Sequence, residues 1–495
     1  MLQLIIEGKR AVLSPDTSLS VQLKNSLLTD SEEDSTYPFT LPVSENRHIF
    51  GFPDLINNND FIRQYSGMVM FGPYQILSGE VIITDISDSE IELYIATNNR
   101  SFWGKFGKKY LDEYDLGSET WSYDAFNSSL RNYKPYVCIQ LYDPSFDVEG
   151  YIPEWYNRWQ MVYSRLQVTQ NGIKNNICPF MRLKELIERI FTNSGYTISY
   201  NVMDEMGYFE NILIIHRHTF NEPSTFHYNE VLPHITIQEF LEECRRKFGL
   251  VFFINEAGRT VIIRSSVNLR TDNALPLEIF DNFQKTIDSE SENKVYKFTD
   301  KSVTDKLIDA YAADLVYITG DENSENLTTV ECISTIMGTE NKLEQFFSGE
   351  IDSLGESVFL SVRYTLLSTA SQADDTEFRL AVYNGLANRI EYADTITIPI
   401  AQYVVPEASL VGVGFNLLWT GEKGLYNVFH RALCGIDTSL SVEMELNRDI
   451  RLLNNLQNMF VCSVVCRNQR FIVREQEIEF CGDRIVSHKI TAIPV

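Results

Sequence analysis

The length and composition describe a chain with several hydrophobic cores and a strong negative charge. It has 495 residues, 44% of them hydrophobic, and at roughly 100 to 200 residues per domain this predicts three or four domains. Sixty-eight acidic against 42 basic residues give a formal net charge of -26. That charge argues against a chain that grips phosphate backbones along its whole surface.

The cysteines and the apolar runs exclude further classes. Eight cysteines are too sparse for a disulfide framework and form no Cys-x-x-Cys pair, so we expect a reducing compartment. We interpret Cys462 and Cys466 as buried thiols on one face of a strand rather than as metal ligands. The N-terminal apolar run is shorter than a secretion signal needs, and the longest later run, "LVGVGFNLLW", is too short to span a membrane. No membrane insertion by this chain is expected.

The first region, 1–170, is predicted to be a β domain. "LQLIIEGKRAVL" indicates two strands joined at a Gly8-Lys9 turn, and "EIELYIAT" alternates apolar and polar side chains as a half-buried strand does. Between them, Pro38, Pro42 and Pro53 exclude a continuous helix or a central strand.

Residues 102–159 hold four of the five tryptophans and many tyrosines. With carboxylates such as Asp147 and Glu154, such a region could stack sugars and bind or hydrolyse glycans. Aromatic side chains also dominate cores and subunit contacts, and we favour that interpretation.

The second region, 171–270, is predicted to contain two helix-strand units. In "ITIQEFLEECRRKFGLVFFINEAGRTVIIR", Thr236 and Glu239 have the spacing of a capping box, and Gly249 supplies a left-handed stop before a hairpin around "NEAG". "RLKELIERIFTNSGYTISY" has the same rhythm, with Gly195 before the strand. These units form a central α/β region.

The rest of the chain is predicted to be a linker and β segment, 271–345, followed by a β-rich domain, 346–495. "DNFQKTIDSESENK" is interpreted as an exposed loop, and "FRLAVYNGL" as a strand that ends in an Asn384-Gly385 turn. "LSVEMELN" alternates, the tail is typical of a meander, and "GLYNVFHRAL" predicts a helical turn. The fold class is therefore α+β, predominantly β, with β-barrel-like N- and C-terminal regions.

Two segments are candidates for metal binding, and we interpret both as structural. In the first, His216, His218, His227 and His234 lie near Glu222 and Glu230, a donor set suited to zinc or iron. Such a pattern is also typical of a polar strand face, which we favour. In the second, Asp321, Asn323 and Glu325 alternate as in a calcium loop, but Asn326 replaces the sixth-position glycine and Cys332 stands at the twelfth position, so we predict a solvated loop.

The remaining motifs predict no chemistry. Arg245, Arg246 and Lys247 are better explained as cations at a helix C-terminus, opposite the apolar stripe, than as a nucleic-acid contact. The sequence has no phosphate-binding loop, nucleophile elbow or His-Glu-x-x-His pair. We therefore predict no catalytic, cofactor-binding or metal-binding residues, no cofactor and no enzymatic activity.

Three stretches together resemble tail proteins of phages and prophages of Bacteroidetes hosts. They are "TYPFTLPVSENRHIFGFPD", then "PFMRLKELIERIFTNSGYTI" with "ITIQEFLEECRRKFGLVFF", and finally "GEKGLYNVFHRAL" before a β-rich end. Within that group the order of β, helix-strand and β regions is similar to baseplate hub or tail-tip proteins.

The resemblance implies a structural virion protein that is assembled in the host cytoplasm and works as a homotrimer. In such hubs, two tube-like β-barrel domains per chain form a ring that joins the tail tube to a spike or fibre. The expected partners are therefore the tail tube protein and spike or fibre proteins, while genomic DNA passes through without specific binding. The alternatives are a tail-associated glycan-binding protein or glycoside hydrolase that uses residues 102–159, and an adaptor elsewhere in the tail or neck.

Overall fold

A computed structural model describes the chain in many segments. These are 1–25, 34–55, 65–97, 102–120, 122, 132–139, 141–142, 149–157, 159–160, 165–166, 169–170, 173–207, 209–216, 225–255, 258–268, 274–287, 294–301, 312–333, 365–366, 379–391, 394–402, 414–436 and 439–495. The chain divides into two compact units, each assembled from segments distant in sequence. The first comprises Met1–Lys108, Leu250–Lys294 and Ala432–Val495, and the second Lys109–Gly249 and Val295–Arg431. The four consecutive regions described above stay a prediction.

Strands predominate over helices in both units. The first seventeen strands are β1 Leu2–Ile6, β2 Lys9–Ala11, β3 Ser18–Lys24, β4 Ser35–Thr36, β5 Phe39–Pro42, β6 Tyr65–Phe71, β7 Tyr74–Ile86, β8 Glu90–Ala96, β9 Ser118–Thr120, β10 Tyr136–Val137, β11 Leu141–Tyr142, β12 Tyr151–Tyr156, β13 Trp159–Gln160, β14 Arg165–Leu166, β15 Thr169–Gln170, β16 Ile173–Asn176 and β17 Phe180–Met181. The others are β18 Thr197–Asn201, β19 Ile212–Ile215, β20 Thr225–His227, β21 Leu250–Asn255, β22 Thr260–Ser265, β23 Leu275–Pro276, β24 Ile279–Ile287, β25 Val295–Asp300, β26 Val316–Ile318, β27 Leu327–Cys332, β28 Thr365–Leu366, β29 Arg379–Glu391, β30 Asp394–Gln402, β31 Leu440–Leu446, β32 Val464–Cys466, β33 Gln469–Cys481 and β34 Arg484–Pro494.

The helices are short apart from two. The α-helices are α1 Val43–Asn46, α2 Leu183–Asn193, α3 Ile237–Phe248, α4 Arg431–Cys434 and α5 Leu456–Val461. Single 3₁₀ turns cover Val202–Asp204, Phe209–Asn211, Tyr228–Val231, Ala312–Leu315 and Ile450–Asn455, and π-helical turns cover Trp103–Gly107 and Tyr426–His430. The predicted class, α+β and predominantly β, is confirmed, as is the helical turn in "GLYNVFHRAL". The barrel-like closure of the two ends stays a prediction.

The first unit is built on one large sheet with strand order β2-β1-β6-β7-β8-β4-β3-β33-β34-β31-β24. Neighbours along this path pair antiparallel, as β33 does with both β3 and β34. Apolar side chains at alternate positions, among them Ile91, Leu93 and Ile95, all fully buried, make one face of the sheet the core. The alternation read from the sequence is therefore confirmed for β8 and β31.

Three local predictions in the strands need correction. The β1–β2 hairpin forms, but its turn residues are Glu7 and Gly8, both with positive φ (51° and 73°), which is the pair that a tight two-residue turn requires. Residues 281–287, predicted as loop, belong to β24, and Phe283–Ile287 pair with β31. Asn384 and Gly385 make a bulge inside β29 rather than a turn, since pairing with β30 resumes at Leu386 after a register shift.

The second unit contains the two long helices. In α3 the predicted capping box is confirmed: the Glu239 amide donates to Thr236 Oγ1 at 3.2 Å, and the Thr236 amide donates to Glu239 Oε2 at 2.9 Å. Gly249 ends this helix in the left-handed conformation, with φ of 59°. The apolar stripes of both helices are buried: Leu183, Leu186, Ile187, Ile190 and Phe191 in α2, and Ile237, Phe240, Leu241, Cys244 and Phe248 in α3.

One residue of α3 was predicted wrongly. Lys247, expected opposite the apolar stripe, is fully buried and pairs with the Asp300 carboxylate. Its ammonium also donates to the Ile333 carbonyl at 2.8 Å, and Trp419 Nε1 donates to the same carboxylate at 2.8 Å. This network ties α3 to β25 and to the segment around Trp419 within the second unit.

Candidate functional surface

One face of the sheet in the first unit collects carboxylates. Glu475, Glu477 and Glu479 occupy alternate positions of β33, so their side chains share a face and stand about 6.6 Å apart along the strand. Gln476 and Ile478 between them, and Phe480 after them, are fully buried, and Ile478 and Phe480 belong to the core. The glutamates therefore lie on the face opposite the core.

Strand register shows that this face continues over the neighbouring strands. Residues paired across antiparallel strands lie on the same face. Lys489 of β34 pairs with both Glu477 of β33 and Glu445 of β31, and Thr491 pairs with both Glu475 and Glu443. We call the face that carries Glu443, Glu445, Glu475, Glu477 and Glu479 the acidic face. On the other side of β33, the paired residues are Ser20, Gln22 and Lys24 of β3.

The few cations on the acidic face do not neutralise it. Across β3, β33, β34 and β31 the register places five glutamates against three cations. These are Lys24, Lys489 and Arg484, the last of which pairs with Cys481 at the end of β33. Lys489 Nζ lies 3.4 Å from Glu443 Oε1, but both side chains are nearly half exposed, so this pair contributes little. Gln22 donates a hydrogen bond to Glu475. The face therefore keeps a net negative charge.

The pKa of Tyr37 responds to the negative charge of the acidic face. Its amide donates to the Ser20 carbonyl at 3.0 Å, and the side chain is 46% exposed. Partial burial, and next the negative charges of Glu477 and Glu475, raise the pKa of the Tyr37 hydroxyl. A face with a net negative charge repels a polyanion, so it favours passage of nucleic acid over binding.

The sequence carries a partial signal for the acidic face. Glu443 and Glu445 alternate with buried residues in "LSVEMELN", and "REQEIEF" repeats the pattern. The alternation predicts which face each glutamate occupies, but it does not predict that β33, β34 and β31 lie side by side.

The histidine candidates are not brought together among the residues that the structure describes. His216 is buried, with Nδ1 3.5 Å from the Cys178 thiol. His234 stacks on Tyr110, with ring centroids 3.9 Å apart, and its Nδ1 lies 2.9 Å from Asp112. His227 and Glu230 instead close a helical turn through the His227 amide. His218 and Glu222 lie outside the described residues.

The calcium-like loop is a set of local turns between β26 and β27. Asp321 Oδ1 accepts hydrogen bonds from the amide of Asn323 at 3.0 Å, and the Asp321 carbonyl accepts one from the Ser324 amide at 3.1 Å. Residues 320–323 are exposed, which fits the solvated loop that the sequence predicts. Within the described segments, no cluster of three or more metal-ligating side chains is found.

The cysteine prediction was partly wrong. Cys466 is buried in β32, but Cys462 follows the last residue of α5 and is only partly buried, so the two do not share a strand face. Because β32 begins only at Val464, Cys462 lies outside the strand, and the strand period on which the prediction depended does not extend to it.

The aromatic region is described only in part, and what is described there is largely core. Phe102, Tyr136 and Tyr156 are each at most 1% exposed, and Tyr136 packs edge-on against Phe226 at 5.4 Å. Asp147 lies outside the described residues, and Glu154 is placed only as a backbone position in β12. These rings favour the core interpretation over a sugar platform.

No helix in the described part of the chain is long and apolar enough to cross a membrane. No protein-family model matches the sequence, and no curated protein matches it.

Several solved structures resemble the chain weakly over its whole length. The 43 kDa tail protein of prophage MuSo2 from Shewanella oneidensis is 9% identical, with 99% of this chain and 97% of that chain covered and a TM-score of 0.38. The tail protein from Neisseria meningitidis MC58 is 8% identical, with 100% and 95% covered and a TM-score of 0.35. Prophage tail protein gp18 from Listeria monocytogenes EGD-e is 8% identical, with 99% and 94% covered and a TM-score of 0.33. Values this low carry no argument about function here, and they lend no support to a Bacteroidetes host.

Proposed function

We propose that this chain is a structural component of a phage-type tail, a hub or tip protein that joins the tail tube to a spike or fibre. It works as a homotrimer, and the acidic face lines the passage through which DNA leaves. The chain acts by geometry and charge, without catalysis. The sequence resemblance supports the tail assignment, and the acidic face is the observation that carries the role in DNA passage.

The physical argument rests on the sign and spacing of the charges. DNA that moves through a channel must not bind its wall, because phosphate contacts with lysine or arginine would hold it through counterion release. The three carboxylates at alternate positions of β33, Glu475, Glu477 and Glu479, repel the phosphates and offer them no cation to bind. The sheet keeps them in place because its other face is the core of the first unit.

Charge changes on the acidic face test this role. In particles assembled with the triple variant Glu475→Lys, Glu477→Lys and Glu479→Lys, we expect normal particle numbers and DNA release in vitro slowed at least tenfold. Raising the salt concentration should relieve the slowing, because phosphate contacts weaken with salt. The measurement is the fluorescence of a DNA-binding dye after ejection is triggered.

The matched control replaces three exposed carboxylates of the same unit, one in α1 and two in turns: Glu45→Lys, Asp88→Lys and Asp483→Lys. It adds the same charge away from the acidic face and should leave the release rate unchanged. Equal release rates for the two triple variants would contradict the proposed passage.

A further inference from the structure

The last strand of the large sheet presents an unprotected edge. All five residues Phe283–Ile287 of β24 are exposed, with Phe283 47% and Ile287 75% exposed. β24 pairs with β31 on one side, and among the described strands none pairs with its other side. A strand that is exposed on both faces and open at one edge favours association with another strand.

The same unit contains a cleft of about 350 Å³ that is lined by six consecutive residues, Pro73–Ser78. Five of these residues, Tyr74–Ser78, belong to β7. Because side chains alternate between the faces of a strand, consecutive strand residues line one cleft through the strand's edge. Through this stretch β7 pairs with β6, whereas its pairing with β8 begins only at Glu80. In the described part of the chain, the cleft is therefore bordered by an open strand edge.

The other lining residues suit an incoming polypeptide strand. Ile76, Leu77, Leu453 and Leu456 are buried and give the cleft an apolar floor. Three exposed carboxamides form the rim: Asn255, Asn454 and Asn458. A carboxamide can both donate to and accept from a peptide backbone, and an edge strand supplies hydrogen bonds of backbone spacing.

The charges of the strand and the cleft are complementary. Asp34 is the only charged residue among the described lining residues. Burial raises the pKa of its carboxyl to about 7, although the Lys24 amide donates a hydrogen bond to it at 2.8 Å and the Lys24 charge opposes the rise. A further ammonium beside this carboxyl would favour its ionised form. β24 carries such a group in Lys285, between the exposed apolar residues Phe283 and Ile287 on the same face.

We propose that β24 of one copy adds as a strand to the open edge of β7 in a second copy, with Lys285 beside Asp34 and the apolar side chains on the floor of the cleft. The lengths match, since the five exposed residues of β24 meet the five residues of β7 that line the cleft. The contact joins two different surfaces of the chain, the β24 edge and the β7 cleft. Repeating it from copy to copy gives a closed ring when the rotation between neighbouring copies divides a full turn. The inference rests on the proposed oligomer and names its interface.

Photo-crosslinking of the full chain tests the contact. Phe283 is replaced by p-benzoylphenylalanine in an isotopically labelled copy, which is mixed with unlabelled protein and irradiated. Mass spectrometry should find crosslinks from position 283 of the labelled copy to 73–78 or 453–458 of an unlabelled copy. Lys285→Glu should lower their yield at least fivefold, and Lys105→Glu, an exposed control in the same unit, should leave it unchanged.

Native mass spectrometry of the same sample separates this inference from the proposed function. An oligomer whose crosslinks from position 283 fall elsewhere, stay within one copy or do not form would overturn the interface and leave the oligomer standing. A single 57.0 kDa chain without inter-copy crosslinks would overturn both.

Discussion

At the residue scale, Lys247 shows what helical period predicts and what it does not. Lys247 follows Cys244 by three positions, so the period places it beside the apolar stripe, yet its charge suggested solvent. The residue that makes burial possible, Asp300, lies 53 positions away in β25. No local pattern connects the two, so the burial could not be predicted from the sequence.

Removing the Lys247 ammonium should destabilise the second unit. In Lys247→Met the Asp300 carboxylate stays buried without its cation, and the expected loss is about 3 to 5 kcal/mol of unfolding free energy. Urea denaturation followed by tryptophan fluorescence measures it. Arg246→Met, on the half-exposed neighbour, should change the free energy by less than about 0.5 kcal/mol. Equal stabilities for the two variants would contradict a buried pair.

Asp34 should give stability an unusual dependence on pH. Its pKa is raised from 3.8 to about 7, so the folded state holds the proton more tightly than the unfolded state. This contribution is fully present below pH 3.8 and is lost as the pH rises through 7. The buried His488, whose pKa is lowered to about 4, acts oppositely: its contribution is present above pH 6.5 and is lost as the pH falls through 4.

The variant Asp34→Asn isolates the first effect. The stability gained over the unmodified chain should grow from pH 4 to 7 and then level off. Because Asp34 keeps part of its surface in the cleft, we expect about 1 to 2 kcal/mol at pH 7. Thermal unfolding across this pH range measures the difference. Asp16→Asn, in an exposed turn, is the control, and a difference for Asp34→Asn that does not grow with pH would refute the raised pKa of Asp34.

At the element scale, the sequence predicted the features that short-range patterns specify. The capping box of α3, the Gly249 stop, the hairpin of β21 with β22 and the alternation in β31 all depend on residues within a few positions. The partner with which a strand pairs does not depend on such nearby residues. The segment 281–287 is polar enough for a loop and becomes a strand because β31, more than 150 residues later, supplies its partner.

Gly79 offers a test of the β7–β8 pairing, because the backbone of β8 lies very close to it. A Cβ built on Gly79 would lie 2.0 Å from the Ala96 carbonyl oxygen, which is backbone and cannot move aside. Gly79→Ala should therefore destabilise the first unit by more than about 3 kcal/mol. At Gly258 the nearest atom would be 3.5 Å away, so Gly258→Ala should be nearly neutral. Comparing their unfolding midpoints checks the β7–β8 pairing, which a neutral Gly79→Ala would contradict.

At the scale of the whole molecule, chain order and spatial order differ. The sequence suggested that α3 and the hairpin after it form one packing unit, but the boundary between the compact units falls between Gly249 and Leu250. β3 pairs with β33 across more than 450 positions. Contacts between strands so far apart in sequence depend on which strands share a core. A single sequence does not show which strands these are.

The position of the charges also could not be predicted from the sequence. A net charge of -26 was known from composition and argued against a chain that grips phosphate backbones, but it did not say where the carboxylates lie. Register places five of them on one face of one sheet, opposite the core. The proposal of a DNA passage depends on that placement rather than on the total charge.

An image reconstruction of the assembled protein tests the central claim most directly. The account predicts a closed ring of three 57.0 kDa chains around a central hole, with Glu475, Glu477 and Glu479 facing the hole. A closed ring whose acidic face points outward, or a single chain at concentrations of tens of micromolar, would contradict it.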